Sequence, residues 1–520
     1  MHIPGKSILL FVVALTALQV NAQTYPGRLK QLMNSGEPAS MGLQYLKEVD
    51  SFYNYNGFQL SWFAKQNNNL LLLDGFVKRA TEWGLVQEDY QPALFRSGAH
   101  AGYVYKNERD SLLAELRFTD IAIHLLHDVL LGNRPEPLSY NGLNYSPSCY
   151  NIPSILDTYL NNDKFSLLFE EAESKQPGYL SVKRLLNLFQ KNIADVNFKD
   201  AVLTSPLVTV SNKPLVTRLT QLGFIPADTT HLNATALVAA IKEAQNLFDL
   251  LSDGKLRSTT LQAFNVPLAT RIAELESTLN ALRWVSCIKE SAHIIVVNIP
   301  SATLALYEHG KPVLESNVIV GKRSTPTPTL SSTITEVILY PYWNVPYKIA
   351  TQELLPRIRR DRNYLETNNY QVLNRNGKVM DPAAINWHAL GPGNFPYVIR
   401  QSTGCDNALG LIKLNFYNPF SVYLHDTPDK SLFSLHKRYF SHGCMRLEKA
   451  MEIAHYILKD DPVAIDTLTA KGCLKNQAPV IVPASESIPV LVLYHSAWPG
   501  PDAGIKFYED IYDKFLPAKK

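Results

Sequence analysis

The chain has 520 residues, 46% apolar and 19% charged, which excludes a mostly disordered chain. At roughly 150 residues per domain it predicts about three domains. The 50 Lys and Arg against 47 Asp and Glu leave a formal charge of +3, so no basic excess points to nucleic acid and no acidic run to a charged tail. Five cysteines are too few for a disulfide scaffold, and their odd number leaves at least one without an intramolecular partner.

The first element is Lys6, the apolar run 8–20, and the small-x-small triplet Val20-Asn21-Ala22. It predicts a secretory signal peptide, residues 1–22, and a mature chain outside the cytoplasm. Retained, the same segment would be a membrane anchor. Residues 23–205 read as a helical domain. In Ser111–Leu131 the positions Leu112, Leu116, Ile123 and Leu126 fall near helical spacing, and the Gly132–Pro137 loop ends the run. His124 and His127 sit three apart ahead of Asp128, a spacing that fits a packed helix face better than a metal pair. Residues 212–283 read as a smaller helical domain. Leu237, Ile241, Ala244 and Phe248 share one face, as do Leu268, Ile272, Leu275 and Leu279. Residues 284–520 form a third, mostly β domain. Strands are predicted at Ile294–Ile299, at Leu304–Leu306, at Val313–Val320 after the turn His309-Gly310-Lys311, and then at Ile334–Tyr340, Leu411–Phe416, Val422–Leu424 and Val490–Leu493. In Leu411–Phe416, Ile412, Leu414 and Phe416 point one way and Lys413 and Asn415 the other. Residues 353–400 interrupt the strands with polar, Asn-rich and Pro/Gly-rich sequence, an insertion long enough to be a lid.

The chemistry concentrates between Ser421 and Leu447. His425 ends a strand and enters the turn Asp426-Thr427-Pro428. Cys444 follows in Ser441-His442-Gly443-Cys444, and helical spacing from Leu447 to Leu458 places it just before a helix N-terminus. The helix dipole, the imidazoles and Arg446 would each lower the thiol pKa. Acyl transfer at a thiolate needs a base and oxyanion donors, which His425 and the backbone around Gly443 supply. His442 would orient the site or share the work. Two other readings stay open on residues alone: a buried structural thiol, and a metal set of His425, His436, His442 and Cys444. The cations beside His436 and the spacing speak against the second.

The strand-end His425, the gap, and the run Ser-His-Gly-Cys-x-Arg-Leu ending at Leu447 resemble the active-site signature of the YkuD-type L,D-transpeptidases. Tyr340–Pro346, Arg400-Gln401 and Asn407–Lys413 extend the likeness to the large periplasmic YcbB-like branch. Trp62, Gly84-Leu85, Thr119-Asp120 and Gly132–Pro135 resemble its scaffold domain, and Asn265–Ile272 with Leu282-Arg283-Trp284 resembles the end of its peptidoglycan-binding-like domain. The resemblance implies a multidomain α+β fold: a helical N-terminal scaffold, a small helical peptidoglycan-binding-like domain, and a mostly β catalytic domain with an inserted lid.

The resemblance implies a peptidoglycan L,D-transpeptidase of the periplasm, acting on stem peptides without metal or cofactor and working beside cell-wall synthases. Cys444 would be the nucleophile, with His425 the base and acid. His442 and Gly443 would complete the catalytic turn. Ser441, Arg446, Tyr423, Asn407 and Trp343 would contact substrate. An L,D-carboxypeptidase or wall-protein-releasing hydrolase would use the same nucleophile, and a non-catalytic wall-binding scaffold would need none. Cys405 stands where the family pattern usually has Pro-Gly, and is expected as a bystander, or as a disulfide partner of Cys444 if the two approach.

Overall fold

A computed structural model describes residues 25–63, 68–90, 108–291, 293–459, 465–466, 468, 470, 472–474 and 477–515. The signal segment lies outside the described residues. The chain divides into two compact units, one from segments 1–135, 146–287 and 502–506, the other from 136–145, 288–501 and 507–520.

The first unit is helical. Its main elements are α1 (Tyr25–Asn34), α2 (Leu46–Tyr55), α3 (Asn69–Lys78), α4 (Glu108–Leu131), α5 (Ile152–Asn161), α6 (Pro177–Ile193), α7 (Lys213–Gln221), α8 (Ala234–Leu247), α9 (Ser258–Phe264) and α10 (Leu268–Trp284). Glu108 and Asp110 favour the positive end of α4, which then runs buried for most of its length. His124 and His127 both bind Asp128, at 3.1 and 3.0 Å, and Tyr90 donates to the same carboxylate at 2.6 Å. That is the packed helix face expected from the spacing. Arg283 on α10 donates to the Trp83 carbonyl and to the Tyr179 hydroxyl, fastening α10 to α6 and to the turn after α3. A disulfide joins Cys149 to Cys287.

The second unit is mostly β. Its strands are β1 (Tyr140–Asn141), β2 (Ile294–Asn298), β3 (Thr303–Glu308), β4 (Lys311–Gly321), β5 (Leu330–Leu339), β6 (Trp343–Asn344), β7 (Tyr370–Leu373), β8 (Val379–Met380), β9 (Val398–Gln401), β10 (Ile412–Phe416), β11 (Leu424–His425), β12 (Tyr439–Ser441), β13 (Met445–Leu447) and β14 (Val480–Leu493). The unbroken apolar run of β2 is buried at every position, as a strand covered on both faces must be. Pairing runs β5–β10–β11–β13–β4–β3–β2–β14 and returns to β5, because β14 pairs with both β2 and β5. The sheet thus closes on itself, with β1 and β12 attached outside the ring. Val490–Leu493, expected as a short strand, is the end of a 14-residue strand whose register shifts between Pro483 and Ile488. Beyond that shift, Val490, Leu491 and Val492 pair with β2 on one edge and with β5 on the other.

Inside the ring lie Val297, Leu304, Val318, Leu414, Leu424, Met445 and Val490, packed on Ala450, Ile453 and Ile457 of helix α11 (Ala450–Ile457). The insertion is no loop. From Trp343 to Gln401 it forms its own sheet, β6–β9–β7–β8, over a separate core of Val345, Leu354, Leu355, Ile358, Val372, Phe395 and Ile399. Spacing missed this because its strands are two to four residues long and its core is drawn from scattered positions.

Candidate active site

Three neighbouring strands build the site. Lys413 on β10 pairs with His425 on β11, and His425 pairs with Arg446 on β13. Partners in register point to the same face, and alternate residues to opposite faces. Leu424, Met445 and Leu414 therefore turn into the core, where each is fully buried. Lys413, Tyr423, His425, Cys444 and Arg446 turn together to the other face. The same alternation that buries the apolar residues gathers the chemistry.

Cys444 is the free cysteine; the other four are paired, Cys149 with Cys287 and Cys405 with Cys473. Cys405 is thus committed elsewhere and forms no bridge to Cys444. The backbone N–H and phenol of Tyr423 both address the Cys444 sulfur, and the indole of Trp343 hydrogen-bonds the phenol. Burial pushes the thiol pKa above its ordinary value, against the lowering effect of Tyr423, Lys413 and Arg446. The lowered value expected from the sequence is corrected here, and so is one of its causes. The chain continues from Cys444 into β13, and the helix begins only at Ala450. A helix dipole acts within about one turn, so it does not reach the sulfur.

His425 is buried, and its Nδ1 lies 2.5 Å from the Asp426 carbonyl oxygen. A carbonyl only accepts, so Nδ1 carries the proton and Nε2 is the basic nitrogen. Burial, then the charges of Arg446, Lys413 and Lys430, push the imidazole pKa down to about 3. At neutral pH thiol and imidazole are therefore both uncharged. Asp426 is itself fixed: its carboxylate accepts from the Leu411 N–H at 2.9 Å and from Lys430 Nζ at 2.7 Å. Gly410 (φ 60°) makes this approach possible, since a Cβ there would lie 2.2 Å from an Asp426 carboxylate oxygen.

The turn before Cys444 is braced from both sides. Ser441 is buried, its Oγ donating to the Cys444 carbonyl at 2.5 Å and accepting from the Gly443 N–H at 3.1 Å. Thr327 Oγ1 donates to the Gly443 carbonyl at 2.9 Å, and Thr325 Oγ1 to that of Ser441 at 3.1 Å. Gly443 takes φ 117°, a region closed to side chains. Its N–H, expected as an oxyanion donor, is thus taken up within the turn. His442 is exposed, and its Nε2 lies 2.7 Å from Oε1 of Glu353 on the insertion. Asn407 is fully buried, its amide donating to the Pro341 and Ser402 carbonyls and accepting from the Leu409 N–H. It ties together the two stems of the insertion and presents no group to a ligand, which corrects its expected place among substrate contacts. Arg446 is half-buried, with the Asp429 carboxylate as its opposite charge and Cys444 as a further one only once the thiol ionises. Sequence reasoning missed Glu353 and the Thr325–Thr327 brace, which come from distant segments. Lys413 was legible only as an outward position on its strand. Among the described residues no group of three or more His, Cys, Asp or Glu converges as a metal site.

A mostly β ring with a Cys–His face and a folded insertion defines the class, and comparison with known proteins names it. Residues 292–465 match the YkuD L,D-transpeptidase catalytic domain, and residues 47–186 match the Scaffold domain. A Haemophilus influenzae protein named as an L,D-transpeptidase is 40% identical over 205 residues, 39% of this chain and 41% of that protein. The chain thus spans about two fifths of the length of that curated relative. Solved structures matched include an Enterococcus faecium L,D-transpeptidase (14% identity, 39% of this chain and 50% of that chain, TM-score 0.17). Another is from Mycobacterium smegmatis (14% identity, 38% of this chain and 58% of that chain, TM-score 0.19). Residues 292–465 thus carry a YkuD-type L,D-transpeptidase catalytic domain, and residues 47–186 carry a Scaffold domain.

Proposed function

We propose that this protein is a peptidoglycan L,D-transpeptidase with Cys444 as nucleophile. The observation that carries the reading is the sheet face itself: a neutral imidazole with its basic nitrogen unprotonated, flanked in register by two cations, and a free thiol just before the adjoining strand, all within the YkuD-type domain. The donor is a stem tetrapeptide ending in D-Ala. As the Cys444 sulfur attacks the carbonyl of the third residue, its proton passes to Nε2 of His425. That proton then goes to the departing D-Ala amine, leaving a thioester. The side-chain amine of an acceptor stem attacks the thioester and loses its proton to His425, and the thiol is restored. The Tyr423 N–H and phenol stabilise the sulfur as its negative charge develops. Arg446 would hold a substrate carboxylate, and the insertion would cover the bound stems from the His442 side.

The apolar segment 8–20 with its small-x-small end supports export to the periplasm, where these stems lie. The test is to incubate the purified protein and its Cys444→Ala variant with a disaccharide tetrapeptide and read the products by mass spectrometry. Cross-linked dimer with loss of D-Ala, absent in the variant, is the expected result. Tripeptide alone would make the protein an L,D-carboxypeptidase. No product from either protein would remove the enzymatic reading and leave a wall-binding scaffold.

A further inference from the structure

The sulfur and imidazole do not exhaust the polar face, since Lys413 projects onto it from the third strand. A half-buried lysine is costly to keep charged, so its neighbours matter. Its Nζ lies 4.3 Å from the centre of the Tyr423 ring, on the side chain whose hydroxyl bonds both Cys444 and Trp343. The register Lys413↔His425 fixes it one strand away from the imidazole. The charged and titratable groups around it are Glu336 from β5, Tyr423 just before β11, His425 on β11, Cys444 just before β13 and Arg446 on β13. Glu336 is held by the Asn415 amide at 2.7 Å. The sequence alternation that buries Ile412 and Leu414 therefore delivers a cation to the underside of the very tyrosine that touches the sulfur.

We propose that Lys413 is a positioning residue of the Cys444 site, its ammonium stacking on Tyr423 to hold the phenol against the sulfur and supplying positive charge as the thiolate forms. The proposal rests on the reading of Cys444 as nucleophile. A cation beside a thiolate in a poorly solvated site favours the charged form far more than it would in water. The stacked ring fixes the phenol whose hydrogen bond the thiolate accepts. Arg446 also favours the thiolate by its charge, and Lys413 is the cation that stacks on Tyr423.

The experiment measures the rate of Cys444 alkylation by iodoacetamide against pH in the intact, oxidised protein. Cys444 is the one unpaired thiol, so the signal is its own. Lys413→Met is expected to move the alkylation profile about one unit toward alkaline pH, an about tenfold slower reaction at pH 8. Lys413→Arg should restore most of the rate. Lys413→Gln, which keeps a polar head without the charge, should show the same alkaline shift as Lys413→Met. An unchanged profile in Lys413→Met, or an equal loss in the Arg variant, would overturn the proposal. Should the Met variant not fold, the alkaline shift in Lys413→Gln supports the proposal and its absence overturns it. Alkylation requires no peptidoglycan, so failure here is separate from failure of the transpeptidase reading, which the muropeptide assay measures.

Discussion

At the scale of single residues, burial in the site favours the neutral forms of its titratable groups. His425 stays neutral in the fold, with a pKa near 3 against an ordinary 6.5. The unfolded chain takes up that proton first, so stability is intact above about pH 6.5 and falls as pH drops toward 3. The slope for this one group is about 1.4 kcal/mol per unit. A His425→Gln variant should flatten that part of the curve, measured as denaturant midpoint against pH. The raised thiol and lowered imidazole also predict that activity climbs through neutral into alkaline pH, without the near-neutral plateau of a preformed thiolate–imidazolium pair. Turnover against pH checks this. Gly443 holds φ 117°, where an added Cβ would also meet the Pro326 carbonyl at 3.5 Å. Gly443→Ala should cost about 1–2 kcal/mol by backbone strain. It should slow acylation more than the stability loss explains, because the turn sets the sulfur; thermal melts and single-turnover acylation separate the two.

At the scale of elements, the insertion is a folded unit whose stems are clamped. Asn407 bonds stem to stem, Cys405 is bridged to Cys473, and Tyr340 donates to the Gly472 carbonyl at 2.9 Å. Between the stems, Glu353 reaches His442, two residues from Cys444. That pair is solvent-accessible, so Glu353→Gln should leave the melting temperature nearly unchanged. It should raise KM for the stem peptide by a few fold, as steady-state kinetics would show, since its effect is on how the insertion rests and not on the chemistry. The elements differ in how legible they were. Strands with clear alternation, such as β10, and the long helices α4, α8 and α10 follow directly from spacing. The helix after Cys444 was placed three residues early, because Leu447 fits the helical pattern while the ladder to β4 holds it extended. Closure of the sheet was invisible, since it depends on one strand pairing with two distant ones.

At the scale of the whole molecule, the sequence carried the Cys–His chemistry in one short stretch, and the odd cysteine count pointed to a free thiol. What it could not carry was which cysteines pair, because pairing is decided by approach in space. Thiol titration of the denatured, unreduced protein should find one thiol, and five after reduction. The two bridges close spans separated by 138 and 68 residues. Chain-entropy arguments give each roughly 4–5 kcal/mol, so reduction should lower the melting temperature clearly. The central claim is that Cys444 is the acyl-accepting nucleophile of an L,D-transpeptidase site. The most direct measurement is intact mass, with peptide mapping, after exposure to a carbapenem, whose strained carbonyl any active thiolate of this type should open. The account predicts a single covalent adduct at Cys444, absent from Cys444→Ala. No adduct, or one that persists in the variant, would contradict it.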